Sequence, residues 1–299
     1  MMPLIPLTVT LVALGTAAPW ALAKDEVSSD GVKVEEMSAL RKLVPEEELE
    51  AAAAQQYLEM KNQAAQHRAL APADNPQLQR LNAIAKKLIP HAERWNPRAR
   101  QWKWEVSLIG SKEINAFCMP GGKIAFFSGI LNQLKLTDDE VAIVMGHEIA
   151  HALREHGRER VAKSGLASAG AKIAGIGLSA LLGIDPNLAG AATGGVANLT
   201  MLKFSRDDET EADLVGLDIV ARAGYDPRAG IALWRKMAMV QKNESLQWLS
   251  THPAGKARIA EIQRHLPTVM PLYAKAKGVP QSSLPPYKSN VEGITPIHR

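Results

Sequence analysis

Two periods alternate in the placing of apolar residues along the chain. Pro45 to Leu70 (PEEELEAAAAQQYLEMKNQAAQHRAL) is rich in Ala, Glu and Gln, with a proline at its head and acids in its first turn. That composition predicts a long helix with weak apolar positions, which wraps the rest of the fold or else offers a face to a partner. After a turn at Ala71 to Pro76, Leu81, Ile84, Ala85 and Leu88 recur at helical spacing and predict an amphipathic helix over Gln77 to Leu88. The period then drops to two. Trp102 to Leu108 (WKWEVSL) alternates as a half-buried strand, and Glu113 to Met119 and Lys123 to Phe127 read as short strands around a Pro120-Gly121-Gly122 turn.

Helical spacing returns at Thr137 to Gly157, where Val141, Val144 and Leu153 make a stripe. Thr137 with Glu140 three residues on predicts a capping box, Asp138 and Asp139 suit the positive end of the helix dipole, and Gly157 reads as the stop. A second capped helix is predicted from Ser205, with Asp207 and Asp208 in its first turn and Gly224 and Pro227 at its end. Another runs from Asp226-Pro227 to Lys242, with Ile231, Leu233, Trp234 and Met237 for packing, and Arg258 lies on the helix after it. From Pro267 onward Pro, Lys and Ser dominate, predicting an extended tail on the surface or free in solution. Together the elements predict an α+β fold that is predominantly helical, with a small sheet.

Val161 to Leu202 is heavy in Gly and Ala, and its most apolar part, Ile173 to Ile184, is too short to span a bilayer. It predicts a helical hairpin over a cleft, usable as a lid or plug, against a membrane surface, or simply as core. Met1 to Ala23 carries no charged side chain, and Ala21-Leu22-Ala23 before Lys24 has the small-x-small form of a signal-peptide cleavage site. The expected organisation is a signal peptide over 1–23, a polar segment and long helix over 24–70, the main domain over 71–266 and the tail over 267–299.

Composition narrows the function classes. A chain of 299 residues with 46% hydrophobic residues can bury a sizeable core. A net charge of +4 without a lysine-arginine block or aromatic platform argues against a nucleic-acid partner. The one cysteine, Cys118, forbids an internal disulfide and reads as a small buried apolar residue.

The chemistry is concentrated in His147-Glu148-x-x-His151. Two histidines four apart lie on one helical face, so both imidazoles reach one ion, and Glu148 stands beside them to work on water. A third histidine ligand in an HExxHxxGxxH arrangement is excluded, because Arg154 and Gly157 occupy the positions that need Gly and His. Glu209 and Asp213, four apart on the later helix, offer instead one carboxylate for the metal and one to accept a proton from a ligating histidine.

HEIAH, then SRDDETEAD, preceded by NAFCMPGGKIAFFSGIL and followed by STHPAGKARI, resembles the bacterial HtpX, LoiP and BepA type of zinc metalloendopeptidase (metallopeptidase family 48), with mitochondrial Oma-type proteases as relatives. The resemblance covers about Gln77 to Leu266. It implies a gluzincin-type domain with its small sheet next to the HExxH helix, and one zinc ion per chain held by His147, His151 and Glu209. Glu148 would be the catalytic base and Asp213 the residue orienting a ligand. It also implies an extended substrate pairing with the strand at Asn115, Ala116 and Phe117. The stand-alone periplasmic form fits best, since no helical repeat array follows the motifs. His252, in the Ser250-Thr251-His252-Pro253 loop, is expected to approach the metal's open position or stabilise an oxyanion. Arg258 is expected to hold a substrate carbonyl or a carboxylate of the site. His67, His91, His156, His265 and His298 have no evident partners in the sequence and are taken as surface or structural.

The role the resemblance implies is removal of misfolded or unassembled envelope proteins in the periplasm, with outer-membrane assembly machinery or a membrane surface as further contacts. Two other classes use the same residues: a zinc-binding chaperone or scaffold, and a zinc amidase. Structural zinc sites are usually closed by four protein ligands and rich in cysteine, which this set is not.

Overall fold

The computed structural model describes residues 31–163, 204–240, 247–252 and 256–298. The expected signal peptide lies outside these residues, as does nearly all of the Gly-Ala-rich hairpin. Among the described residues, no helix is long and apolar enough to cross a membrane.

Helix α1, Glu46–Gln66, has Pro45 at its N-cap and three glutamates in its first turn. Its buried residues Leu49, Ala53, Tyr57, Met60 and Ala64 fall on one stripe. Most of that stripe covers one face of a three-stranded sheet made of β1 (Glu105–Ile109), β2 (Ala116–Met119) and β3 (Lys123–Phe127). The Tyr57 hydroxyl donates to the Ile124 carbonyl at 2.6 Å, tying helix to sheet. The wrapping expected for this helix is therefore what the structure shows.

The strand order is β1-β3-β2, with β1 parallel and β2 antiparallel to β3. Alternation along β3 divides the core: Ala125 and Phe127 face α1, while Ile124 and Phe126 face the main helical core. Gly121 and Gly122, at φ of 80° and 78°, make the β2-β3 turn, and a Cβ on Gly122 would meet the Trp104 ring at 2.7 Å. The strands are shorter than the sequence suggests, since β1 begins at Glu105 and β2 at Ala116.

On the other side of the sheet lie α2 (Pro76–Leu88), the short α3 (Ser128–Gln133) and α4 (Asp138–Leu153). The capping box of α4 forms as expected: Glu140 N donates to Thr137 Oγ1 at 3.3 Å, and Thr137 N to Glu140 Oε2 at 2.8 Å. Its end does not follow expectation. The helix stops at Leu153, Glu155 takes a φ of 57°, and α5 (His156–Lys163) starts in a new direction before Gly157 is reached. Helix α6, Arg206–Arg222, is capped by Ser205 and followed by Gly224 at φ 79°. Next come α7 (Ala229–Val240), the short α8 (Gln247–Thr251) and α9 (Lys256–Lys277).

The expected tail boundary at Pro267 is corrected. Helix α9 continues through Pro267 and Pro271 to Lys277. Each internal proline costs roughly 3 kcal/mol of helix stability. Burial of Leu266, Val269, Met270 and Leu272 against the core offsets that cost. The residues beyond Gly278 are not free either. Tyr287 and Ile297 exchange backbone hydrogen bonds of 2.8 and 2.9 Å, both side chains are buried, and the Tyr287 hydroxyl lies 3.0 Å from Thr137 Oγ1 at the start of α4.

Candidate metal centre

Helices α4 and α6 cross with almost no side chain between them. A Cβ on Gly146 would stand 2.9 Å from Val220 Cγ2 and 3.1 Å from the Gly216 carbonyl, and one on Gly216 would stand 2.9 Å from His147 N. This close approach brings the histidines of α4 against the carboxylates of α6.

His147 Nε2 lies 3.0 Å from His151 Nε2 and 3.6 Å from Glu209 Oε2, and His151 Nε2 lies 3.5 Å from Glu209 Oε1. A fourth donor joins them. His252 Nδ1 is 2.9 Å from Glu209 Oε1 and 3.2 Å from His147 Nε2. All four residues are buried, and their ligand atoms lie within 4.8 Å of one another. A tetrahedral zinc with bonds of about 2.0–2.1 Å separates its ligand atoms by about 3.3 Å. The donor set therefore fits such an ion in type and spacing, with imidazole lone pairs and a carboxylate turned toward one point.

The outer contacts hold the donors in place. His147 Nδ1 donates to Asp213 Oδ1 at 3.1 Å, which leaves Nε2 free to face the other donors. Arg258 Nε donates to Asp213 Oδ2 at 2.7 Å, its Nη1 to Glu209 Oε2 at 2.5 Å, and its guanidinium lies 4.0 Å from the Trp234 ring centre. Arg258 thus grips both carboxylates of α6. Burial opposes the charged form of Asp213, yet the neighbouring Arg258 and His147 hold its carboxyl below the ordinary value. Burial likewise opposes ionisation of Glu209, and His252, His151 and His147 overcome it to drive that carboxyl far down. Burial keeps the His151 imidazole well below its ordinary value. His252 is also desolvated, but Glu209 and Glu148 outweigh that and raise it.

Glu148 sits beside the donors, not among them. Its Oε1 accepts from the Trp248 indole N–H at 2.7 Å and lies 3.7 Å from His252 Nε2. Trp248 and His252 both belong to the 247–252 segment, which is tied to its neighbours by Trp248 N donating to the Ile114 carbonyl at 3.1 Å. Their rings stack at 4.9 Å. Asn115, Ala116 and Phe117 follow directly at the sheet edge, and all three are buried. The Phe117 side chain packs under α1 near Phe127.

Three groups escaped the sequence reading. Trp248 carried no motif. Phe204, one residue before the α6 cap, stacks on His151 at 3.9 Å. His156 is buried, with Nδ1 2.9 Å from His151 Nδ1 and Nε2 2.8 Å from Glu211 Oε2.

Two imidazoles from consecutive turns of one helix, a carboxylate from a second helix and a glutamate beside them define a gluzincin-type metallopeptidase centre. The profile of Peptidase family M48 matches residues 75–266, and the chain belongs to that family. It is similar to the mitochondrial metalloendopeptidase OMA1 of Arabidopsis thaliana, 39% identical over 155 residues that make up 52% of this chain and 30% of that protein. The OMA1 of Schizosaccharomyces pombe is 38% identical over 168 residues, 55% of this chain and 47% of the relative. The beta-barrel assembly-enhancing protease of Escherichia coli is 29% identical over 219 residues, 71% of this chain and 44% of the relative. The chain thus spans half or less of the length of these relatives.

Proposed function

We propose that the chain is a zinc-dependent metalloendopeptidase, with His147, His151 and Glu209 as the zinc ligands and Glu148 as the catalytic base. The observation that carries this reading is the convergence of those three donors beside a carboxylate that holds none of them. Zinc held there supplies Lewis acidity, which acidifies water towards a pKa of about 7 and polarises a peptide carbonyl. Glu148 takes the proton of the attacking water at a carboxylate oxygen and delivers it to the leaving amine nitrogen. Asp213 keeps His147 presenting Nε2, and Arg258 keeps the two carboxylates of α6 side by side without mutual repulsion. The main chain at Asn115 to Phe117 receives an extended substrate, which favours unfolded segments of varied sequence.

The described conformation is a closed one. A catalytic zinc site keeps a position open, whereas His252 stands as a fourth donor and Trp248 occupies Glu148. Withdrawal of the 247–252 segment would free both at once. The same closure suits the competing reading, a zinc-stapled chaperone without proteolysis. Glu148 favours the enzyme, since it stands beside the donors without joining them, where a hydrolase places its base.

The biological setting we infer is quality control of misfolded or unassembled envelope proteins in the periplasm, as an enzyme exported by a cleaved signal peptide. Similarity to a beta-barrel assembly-enhancing protease and the uncharged first 23 residues support it. Incubation of the purified chain with unfolded casein, with and without a chelator, tests the activity. Cleavage abolished by chelation and restored by zinc is expected; cleavage that survives metal removal contradicts the proposal.

A further inference from the structure

We propose that His156 and Glu211 are positioning residues that form a relay to His151, holding its ring and its tautomer for metal binding through Nε2. The inference deepens the metallopeptidase reading above and rests on it.

His151 turns Nε2 inward, 3.0 Å from His147 Nε2, so Nδ1 on the opposite edge of the ring points out of the centre. A neutral imidazole that offers Nε2 to a metal must carry its proton on Nδ1, and a buried N–H needs an acceptor. His156 Nδ1 lies 2.9 Å away. Accepting there obliges His156 to carry its own proton on Nε2, which donates to Glu211 Oε2 at 2.8 Å. Arg154 completes the chain, with Nη2 2.6 Å and Nε 2.7 Å from Glu211 Oε1. Each ring nitrogen of His151 and His156 then has one role, and Glu211 ends the chain as acceptor.

The break after α4 makes this possible. In an unbroken helix a residue five places on is turned by about 140°, so His156 would face away from His151. The stop at Leu153 and the φ of 57° at Glu155 return the chain, and His156 opens α5 directly against the ligand's outer edge. Helix α6 then supplies three carboxylates in alternate positions. Glu209 joins the donors, Asp213 holds His147 directly, and Glu211 holds His151 at one remove. Phe204 stacks on the face of His151, which leaves the ring fixed at its edge and its face.

Zinc affinity, measured on the full chain by competition with a chromogenic chelator, tests the relay without any need for turnover. His156→Leu should weaken zinc binding about 10- to 100-fold. His156→Asn, whose Oδ1 can accept the His151 proton, should recover most of that loss, which a filler of space would not do. Glu211→Leu, on a half-buried side chain, removes the acceptor of the His156 proton, should weaken binding in the same direction and carries the test if His156→Leu does not fold, as judged by circular dichroism of the metal-free protein. Wild-type affinity in His156→Leu or in Glu211→Leu, or equal weakness in the Leu and Asn variants of His156, overturns the relay while leaving the metal site intact. A wild-type chain that binds no zinc overturns both readings.

Discussion

Gly146 and Gly216 meet backbone to backbone where α4 crosses α6, one residue before His147 and three after Asp213. The contact explains how donors nearly sixty residues apart in the chain come within reach of one ion. Gly216→Ala would press a methyl within 2.9 Å of His147 N, where no flexible side chain can yield. It should cost about 1–3 kcal/mol of stability through overpacking and part the helices at the metal. Thermal unfolding with zinc titration checks this, and an unchanged zinc affinity in the variant would argue that the spacing is not set here.

His252→Ala should raise cleavage of unfolded protein several-fold, because it removes the fourth donor and leaves three. Glu209→Ala should instead lose the metal. The comparison is made with matched zinc occupancy, and a His252→Ala protein no more active than the wild type at full occupancy would argue against His252 as a closing donor.

Arg258→Met leaves Glu209 and Asp213 buried beside each other without their cation. Breaking a buried pair in this way costs about 3–5 kcal/mol. The pH dependence of metal-free stability should change as well. Asp213 is held below its ordinary value of 3.8, so the stability it lends is fully present above that value and lost as pH falls beneath it. Without Arg258 the folded-state carboxyl moves back up towards that value, so this acid-dependent loss should shrink, and acid-unfolding curves of the two proteins should separate accordingly.

Truncation after Gly278 should destabilise the protein by about 2–5 kcal/mol, from the loss of the buried Tyr287 and Ile297 side chains. It also removes Asn290, which accepts from the buried Lys236 ammonium at 2.6 Å. A melting temperature unchanged by truncation would return these residues to the status of a free tail.

Local signals in the sequence proved the more legible ones. The capping box at Thr137, the cap at Ser205, the spacing of His147 and His151 and the Gly121-Gly122 turn depend on neighbours a few residues away, and all appear where expected. What sequence missed is set by contacts between distant elements. Prolines 267 and 271 read as helix breakers, yet tertiary burial carries α9 through them. The end of α4 at Leu153 has no glycine to mark it, since Glu155 takes the left-handed turn. His156 shows no partner in the local sequence because Glu211 lies 55 residues away. The Gly146–Gly216 crossing is invisible until both helices are placed.

The most direct test is zinc content and cleavage of unfolded casein measured together on the wild-type chain and Glu148→Gln. The account predicts about one zinc in each protein and cleavage by the wild type alone. Equal cleavage by Glu148→Gln, or loss of zinc on that substitution, would contradict the assignment of Glu148 as the base beside the metal.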